Sequence, residues 1–442
     1  MPYETANLEA QPWRRSNLLA YWTLAVLVIL YVLNSLDRMI LNLVVGGVKL
    51  HLGINDFQIS LLMGLTFGLF FALFGLPIGW LADRMSRRWL LFAGVTFWSL
   101  ATIACGLSNS FAELAVARVA LAIGEATLGP VAHSLLADTI PKKRLGVALS
   151  IYTLGGVLGT GLSLALGGAA LAYFEQQGGL LLPGLGEFAP WQAVFVCLGF
   201  PGLILAFLAL TLRTPIVRGQ NHSSEPGFFA FLHANSALFL CFLGSFGVFI
   251  MASVGVVSWM PSHALRTFGW SAAEAGLWLG AVHTISVAAG TLSFGMISDR
   301  VFSKGYRDAP LRVFIGSIAI AAPVGVAAFL MSDSTMFLIG LGLFLLFGNT
   351  YIGIASAALQ LVTPSRFRGR IASLFLLVLY LIGFGGGASL VALVTEYVFG
   401  SPDKLGWALA LTIGVLAPLS LISAGLGLKR MREAVAARAN DA

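Results

Sequence analysis

The sequence predicts an all-α protein that crosses a membrane twelve times, as two pseudo-symmetric bundles of six helices. Three observations predict it. The chain of 442 residues is 58% hydrophobic and only 10% charged, where soluble domains carry about 25% charged residues. Its apolar residues fall in long runs of the ~20 residues that a helix needs to span hydrocarbon. Two short motifs also recur about half a chain apart, the layout of carriers that rock one half against the other.

The runs can be taken in order. Eleven of them lack Asp, Glu, Lys and Arg: 16–36, 57–82, 89–112, 145–174, 188–212, 226–265, 275–298, 313–332, 334–365, 371–395 and 405–428. The first has no small-residue cleavage site and leads into Asp37 and Arg38, so it reads as a retained helix and not as a leader. The twelfth run, 111–137, contains Arg118 and Glu125. Residues 175–189 form a Gly/Pro-rich loop, and Ser271-Ala272-Ala273-Glu274 is a capping box that opens the eighth helix. Trp259-Met260-Pro261 marks a kink in the seventh, because proline removes an intrahelical bond. Arg213-Thr214-Pro215 ends the sixth helix. The chain therefore divides into a bundle over 1–212, a polar linker over 213–230 and a second bundle over 231–442. Residues 433–442 are expected to fray.

Charge fixes the expected orientation. The loops on one side hold Lys49, Arg266 and Lys404, and the helices hold Arg38 and Arg118. Every other lysine and arginine of the 26 falls on the side of the two termini. Positive residues collect on the cytoplasmic side, so both termini are expected in the cytoplasm, in a bacterial inner membrane. The net charge of +7 thus reflects topology, and no nucleic-acid partner is expected. Cys105, Cys197 and Cys241 fall in apolar runs with neither metal-site nor disulfide spacing. No His-Glu-x-x-His, Gly-x-Ser-x-Gly or Walker phosphate loop occurs, so the chain is not expected to be an enzyme or an ATP-driven pump. No cofactor or metal is implied, and a monomer is expected.

Gly79-Trp80-Leu81-Ala82-Asp83-Arg84-Met85-Ser86-Arg87-Arg88 follows the second helix, and Gly295-Met296-Ile297-Ser298-Asp299-Arg300 follows the eighth. Pro141-Lys142-Lys143-Arg144 is echoed by Pro364-Ser365-Arg366-Phe367-Arg368. With the helix count, these motifs resemble the major facilitator superfamily over the whole chain. Leu33-Asn34-Ser35-Leu36-Asp37-Arg38, together with Arg118 and Gly124-Glu125-Ala126, resembles the Spinster family, departing from it at Ser35. That resemblance implies alternating-access export of lysolipids or sphingosine-1-phosphate driven by protons. The same Asn-x-x-Asp-Arg and Gly-Glu-Ala elements resemble the anion:cation symporters, which implies small organic anions such as sugar acids. A multidrug efflux antiporter is a further alternative, although the fifth helix has Gly155-Gly156, Gly159 and Gly161 without the Gly-Pro pair of many drug antiporters.

Asp37 and Glu125 each lie about eleven or twelve residues from the outer end of their helix, roughly 16–18 Å deep at 1.5 Å per residue. A charge at that depth costs at least ~2.5 kcal/mol and marks a pathway. Asp37 and Glu125 are the expected proton-carrying groups. Arg118, two turns before Glu125 and on its side of the helix, would exchange between them and an anionic headgroup. Arg38 contacts substrate or reaches toward the outer headgroups. Asn34, Tyr31 and Tyr152 are cavity candidates. The second half offers only mild polar groups, among them Asn349, Tyr351 and Tyr380, so one wall would be charged and the other mostly apolar. This suits an amphiphilic anion. His283 reads as a hydrogen-bonded core residue. By family analogy Gly79, Asp83, Arg84, Arg87, Arg88, Asp138 and Asp299 form a cytoplasmic gate. Gly79 would allow close helix approach, Asp83 would sit by the start of the eleventh helix, and Asp138 would pair with Arg84 or Arg87.

Overall fold

The computed structural model describes residues 11–441 except 83, 184–185, 214–226 and 365–366. Its twelve spanning helices are α1 (Leu18–Leu43), α2 (Asp56–Ala82), α3 (Arg87–Leu107), α4 (Phe111–Thr139), α5 (Arg144–Gln177) and α6 (Pro190–Leu210), followed by α7 (Ser236–Phe268), α8 (Ala272–Ser303), α9 (Ala309–Leu330), α10 (Ser334–Val362), α11 (Leu377–Val398) and α12 (Pro402–Arg438). Each is long and apolar enough to cross a bilayer, so the chain is an integral multi-pass membrane protein. The Ser271–Glu274 capping box forms as the residues dictate, each side chain bonding the other's backbone N–H.

Several local features differ from the sequence reading. The loop before α6 carries a small hairpin, Leu180–Leu182 against Gly186–Phe188. The final helix continues without interruption to Asp441. Most of the expected linker lies outside the described residues, and a helix already begins at Phe228. Pro261 sits inside the helix Val248–Phe268, and a π turn at Leu243–Gly247 precedes that helix.

The fourth run is two helices. One ends at Glu125 and the next begins at Leu128. The same division recurs in α10, between Gly348 and Tyr351. In both, a 15-residue segment precedes a 12-residue one. The half-chain repeat therefore extends to an interrupted helix, and each interruption carries buried polar groups: Glu125 in one half, Asn349 and Thr350 in the other.

The halves meet tightly toward the face opposite the termini. There α5 packs on α8, and α2 on α11, through glycines. A Cβ on Gly276 would lie 2.1 Å from the carbonyl oxygen of Leu164, and one on Gly64 would lie 2.4 Å from that of Phe384. Small residues let helix backbones approach this closely. The apolar cores follow the same division. One cluster runs through the second half and the distal part of the first, including Ile40, Val48 and Leu164. A separate cluster, including Leu27, Leu91 and Leu135, fills the terminus-proximal part of the first half.

Candidate functional site

Where the cores part, a cavity of about 360 Å³ lies between the halves. Tyr31, Ser35, Arg38, His133 and Tyr152 line it from the first half, and Ser258, His283, Asn349, Tyr351 and Tyr380 from the second. Toward the terminal face, Gln360 and Arg368 border it. The interrupted α4 sets Glu125 behind the wall, and α1 brings Arg38 across it. Arg38 Nη2 and Nε donate to the same Glu125 oxygen, Oε2, at 2.7 and 3.0 Å, and Nη2 also donates to Asn34 Oδ1 at 3.1 Å. The Glu125 side chain is fully buried, and that of Arg38 is 11% exposed.

Arg38 is also caged by rings. Its guanidinium carbon lies 4.6 Å from the centre of Phe67, 5.4 Å from Phe71 and 5.5 Å from Phe384. The first two belong to α2, the third to α11. Ring faces attract cations, more strongly when water is excluded, so the cage holds the charge without neutralising it. Tyr31 and Tyr152 stack at 4.6 Å, and His133 meets Tyr152 edge-on at 5.6 Å. Tyr380 stacks on Phe384 at 5.5 Å.

Six expected cavity residues therefore line it: Tyr31, Arg38, Tyr152, Asn349, Tyr351 and Tyr380. Asn34 is buried behind Arg38. Arg118 departs from expectation. It is wholly buried, is not among the cavity-lining residues, and donates from Nε to the carbonyl of Leu62 at 3.1 Å, while Nη1 and Nη2 have no partner among the described residues. Seven helical residues rise about 10 Å, too far for Arg118 to bond Glu125 directly. Arg38 takes that place. Arg118 instead meets a π turn at Leu61–Leu65, which includes its carbonyl partner. Asp37 is also wholly buried, with neither carboxylate oxygen hydrogen-bonded among the described residues; Trp98 and Thr102 border it.

His283 departs from the reading as a hydrogen-bonded core residue: it lines the cavity, and its Nδ1 has no partner among the described residues. His133 and the ring cage were missed from sequence. Phe67 and Phe71 do share a helix face at i, i+4, but that signal is lost among 32 phenylalanines.

At the terminal face, Arg87 pairs with Asp138, joining α3 to α4. Arg84 lies 3.7 Å over the Trp80 ring instead. Asp83 lies outside the described residues. Arg88 and Asp299 are exposed. A Cβ on Gly79 would meet nothing within 4 Å, so this glycine does not mediate a close helix approach; the approaches occur on the opposite face. There an ion cluster joins the halves. Arg266 of α7 donates from Nη1 and Nη2 to Asp56 of α2, both at 2.9 Å, and Lys49 donates to Asp56 at 2.5 Å. Glu396 of α11 accepts from the backbone N–H of Phe57 at 3.0 Å.

Two bundles of six helices around a central cavity define a membrane carrier of the transporter class. The chain matches the Major Facilitator Superfamily over residues 27–388, and it belongs to that family. Its structure is similar to a bacterial homolog of the human lysosomal transporter Spinster in an inward-facing, unoccupied conformation, with a TM-score of 0.79 and 25% identity over 94% of this chain and 97% of that one. In sequence it is 26% identical over 362 residues to an MFS-type efflux pump of Mycolicibacterium smegmatis, covering 81% of this chain and 80% of the pump. A putative multidrug resistance protein MdtD of Yersinia pseudotuberculosis is 25% identical over 194 residues, but that match spans only 44% of this chain and 38% of the relative.

Proposed function

We propose that this transporter carries an amphiphilic anion, such as a lysophospholipid or a sphingosine-1-phosphate-like lipid, by proton-coupled alternating access. The observation that carries the reading is the caged Arg38–Glu125 pair on the cavity wall. An anionic headgroup entering the cavity competes with Glu125 for the same guanidinium. A proton on Glu125 removes that competitor and frees Arg38. Proton and anion then favour each other's binding, so affinity for the anion rises as the pH falls. The tail has a path along Ile250, Val254, Val257, Val287 and Leu379. The positive charge on the terminal side supports termini in the cytoplasm. With the opposite face clasped by Asp56 and Arg266, the conformation is inward-facing, in keeping with the Spinster homolog it resembles.

The test is transport in proteoliposomes. Lysophospholipid, sphingosine-1-phosphate and a sugar acid are compared with and without an imposed pH difference. The lipids should accumulate only with the gradient. Glu125→Gln should bind the lipid with no pH dependence and lose gradient-driven accumulation; full gradient-driven transport by this variant would remove Glu125 from the proton step. The M. smegmatis relative favours a second reading, efflux of varied drugs. A cationic drug would meet Arg38 unfavourably, so failure of such drugs to compete with the lipid argues against it.

A further inference from the structure

The amphiphile reading leaves the second half of the cavity without a polar task, yet polar side chains line that wall too. His283, on α8, is 6% exposed and lines the cavity. Its Nδ1 is buried without a partner. No described residue hydrogen-bonds the ring, and Nε2, which is not sealed in the same way, is the nitrogen within reach of the cavity. Ser258 of α7 and Tyr351 of α10 line the same wall, and the Tyr351 hydroxyl also lies within hydrogen-bonding reach of Ser253. A buried polar group left unpaired is destabilising, and a buried, unpartnered histidine that shares a cavity lining with two hydroxyls is the pattern of a site awaiting a ligand.

We infer that His283, with Ser258 and Tyr351, forms a hydrogen-bonding subsite for the uncharged polar part of the substrate, a hydroxyl or an ester, while the anionic group sits opposite at Arg38. The inference rests on the amphiphilic-anion reading and deepens it. Its chemistry is complementary. A neutral imidazole offers one donor and one acceptor, and each hydroxyl can do either, so the wall matches neutral oxygen functions and gives no second contact to a phosphate that is already held. A site built to bond a hydroxyl discriminates against an analogue lacking it far more than an apolar wall would. The preferred substrate is therefore an acylated polyol carrying one anionic group, in preference to a simple alkyl anion.

Two probes isolate this subsite: 1-oleoyl lysophosphatidic acid and oleyl phosphate. Both carry a long monounsaturated tail and a phosphate, and only the first has an ester and a free hydroxyl. Binding of each is measured with the full-length protein in nanodiscs. Wild type should prefer lysophosphatidic acid by about tenfold or more. His283→Leu should bring the ratio of the two affinities near one, His283→Gln should keep part of the preference, and Arg38→Gln should weaken both ligands together. Thermal melting identifies any variant that fails to fold, and His283→Gln then carries the comparison. Equal binding of the two probes by wild type, or an unchanged ratio in His283→Leu, overturns the subsite while leaving the amphiphile reading standing. Binding of neither probe by wild type overturns the amphiphile reading and this inference with it.

Discussion

Arg38 and Arg118 carry the same charge in opposite settings. Arg38 stands at the cavity, bonded to Glu125 and faced by three rings. Arg118 is sealed in the first bundle beside Phe67, at 5.7 Å, with two nitrogens unpartnered among the described residues. Only the first is placed to meet a ligand. The ring cage suits a planar, weakly hydrated guanidinium and not a compact ammonium. Arg38→Lys, although it keeps the charge, should therefore weaken binding of an anionic amphiphile by about tenfold, roughly 1.4 kcal/mol. Equal binding by wild type and this variant would mean that charge alone sets the site.

The elements themselves were largely readable in the sequence, because twelve apolar runs with charged punctuation leave few alternatives. The capping box at Ser271 followed from residue type. The pairing of charges did not. Helical spacing places Arg118 and Glu125 on one side and about 10 Å apart along the axis, but it says nothing of a neighbouring helix that supplies a nearer cation. The interruption of α4 after Glu125 does have a local signal: Gly124 and the Gly129-Pro130 pair bracket it, and Pro130 falls in the first turn of the following helix, where its missing N–H leaves no bond unmade. The glycine seams were half visible: Gly161 stands out in the fifth run, while the residues it faces, Gly280 and Thr284 of α8, come from distant sequence. Gly276→Val would place side-chain atoms against the Leu164 carbonyl, 2.1 Å from the added Cβ. It should disfavour closure of that face, and spin-label distances between the distal ends of α5 and α8 should lengthen. Unchanged distances would show that the seam is not needed for closure.

For the whole molecule, the alternating access proposed above would require the clasp between Asp56 and Arg266 to open. Asp56 is 3% exposed and Arg266 21%, so removing one charge leaves the other partly buried and unpaired. Asp56→Asn should shift the balance toward the state open on that face by about 1–2 kcal/mol, a 5- to 30-fold change in population. Cysteines placed on the distal ends of α2 and α7 should then cross-link more slowly than in the parent. Cross-linking at the parent rate would exclude the clasp as a determinant of that balance.

The cage around Arg38 is itself shared between the halves. Phe67 and Phe71 travel with α1's own bundle, while Phe384 belongs to the other. If α2 and α11 separate in the proposed alternating access, the guanidinium exchanges an aromatic face for water. Its grip on Glu125 and on any anion must then differ between the two states, even with every proton in place. A ligand displaces such a balance only by holding one state more strongly than the other. The headgroup site would thus register the posture of the entire protein, with unequal affinities on the two sides of the membrane arising from three phenylalanines.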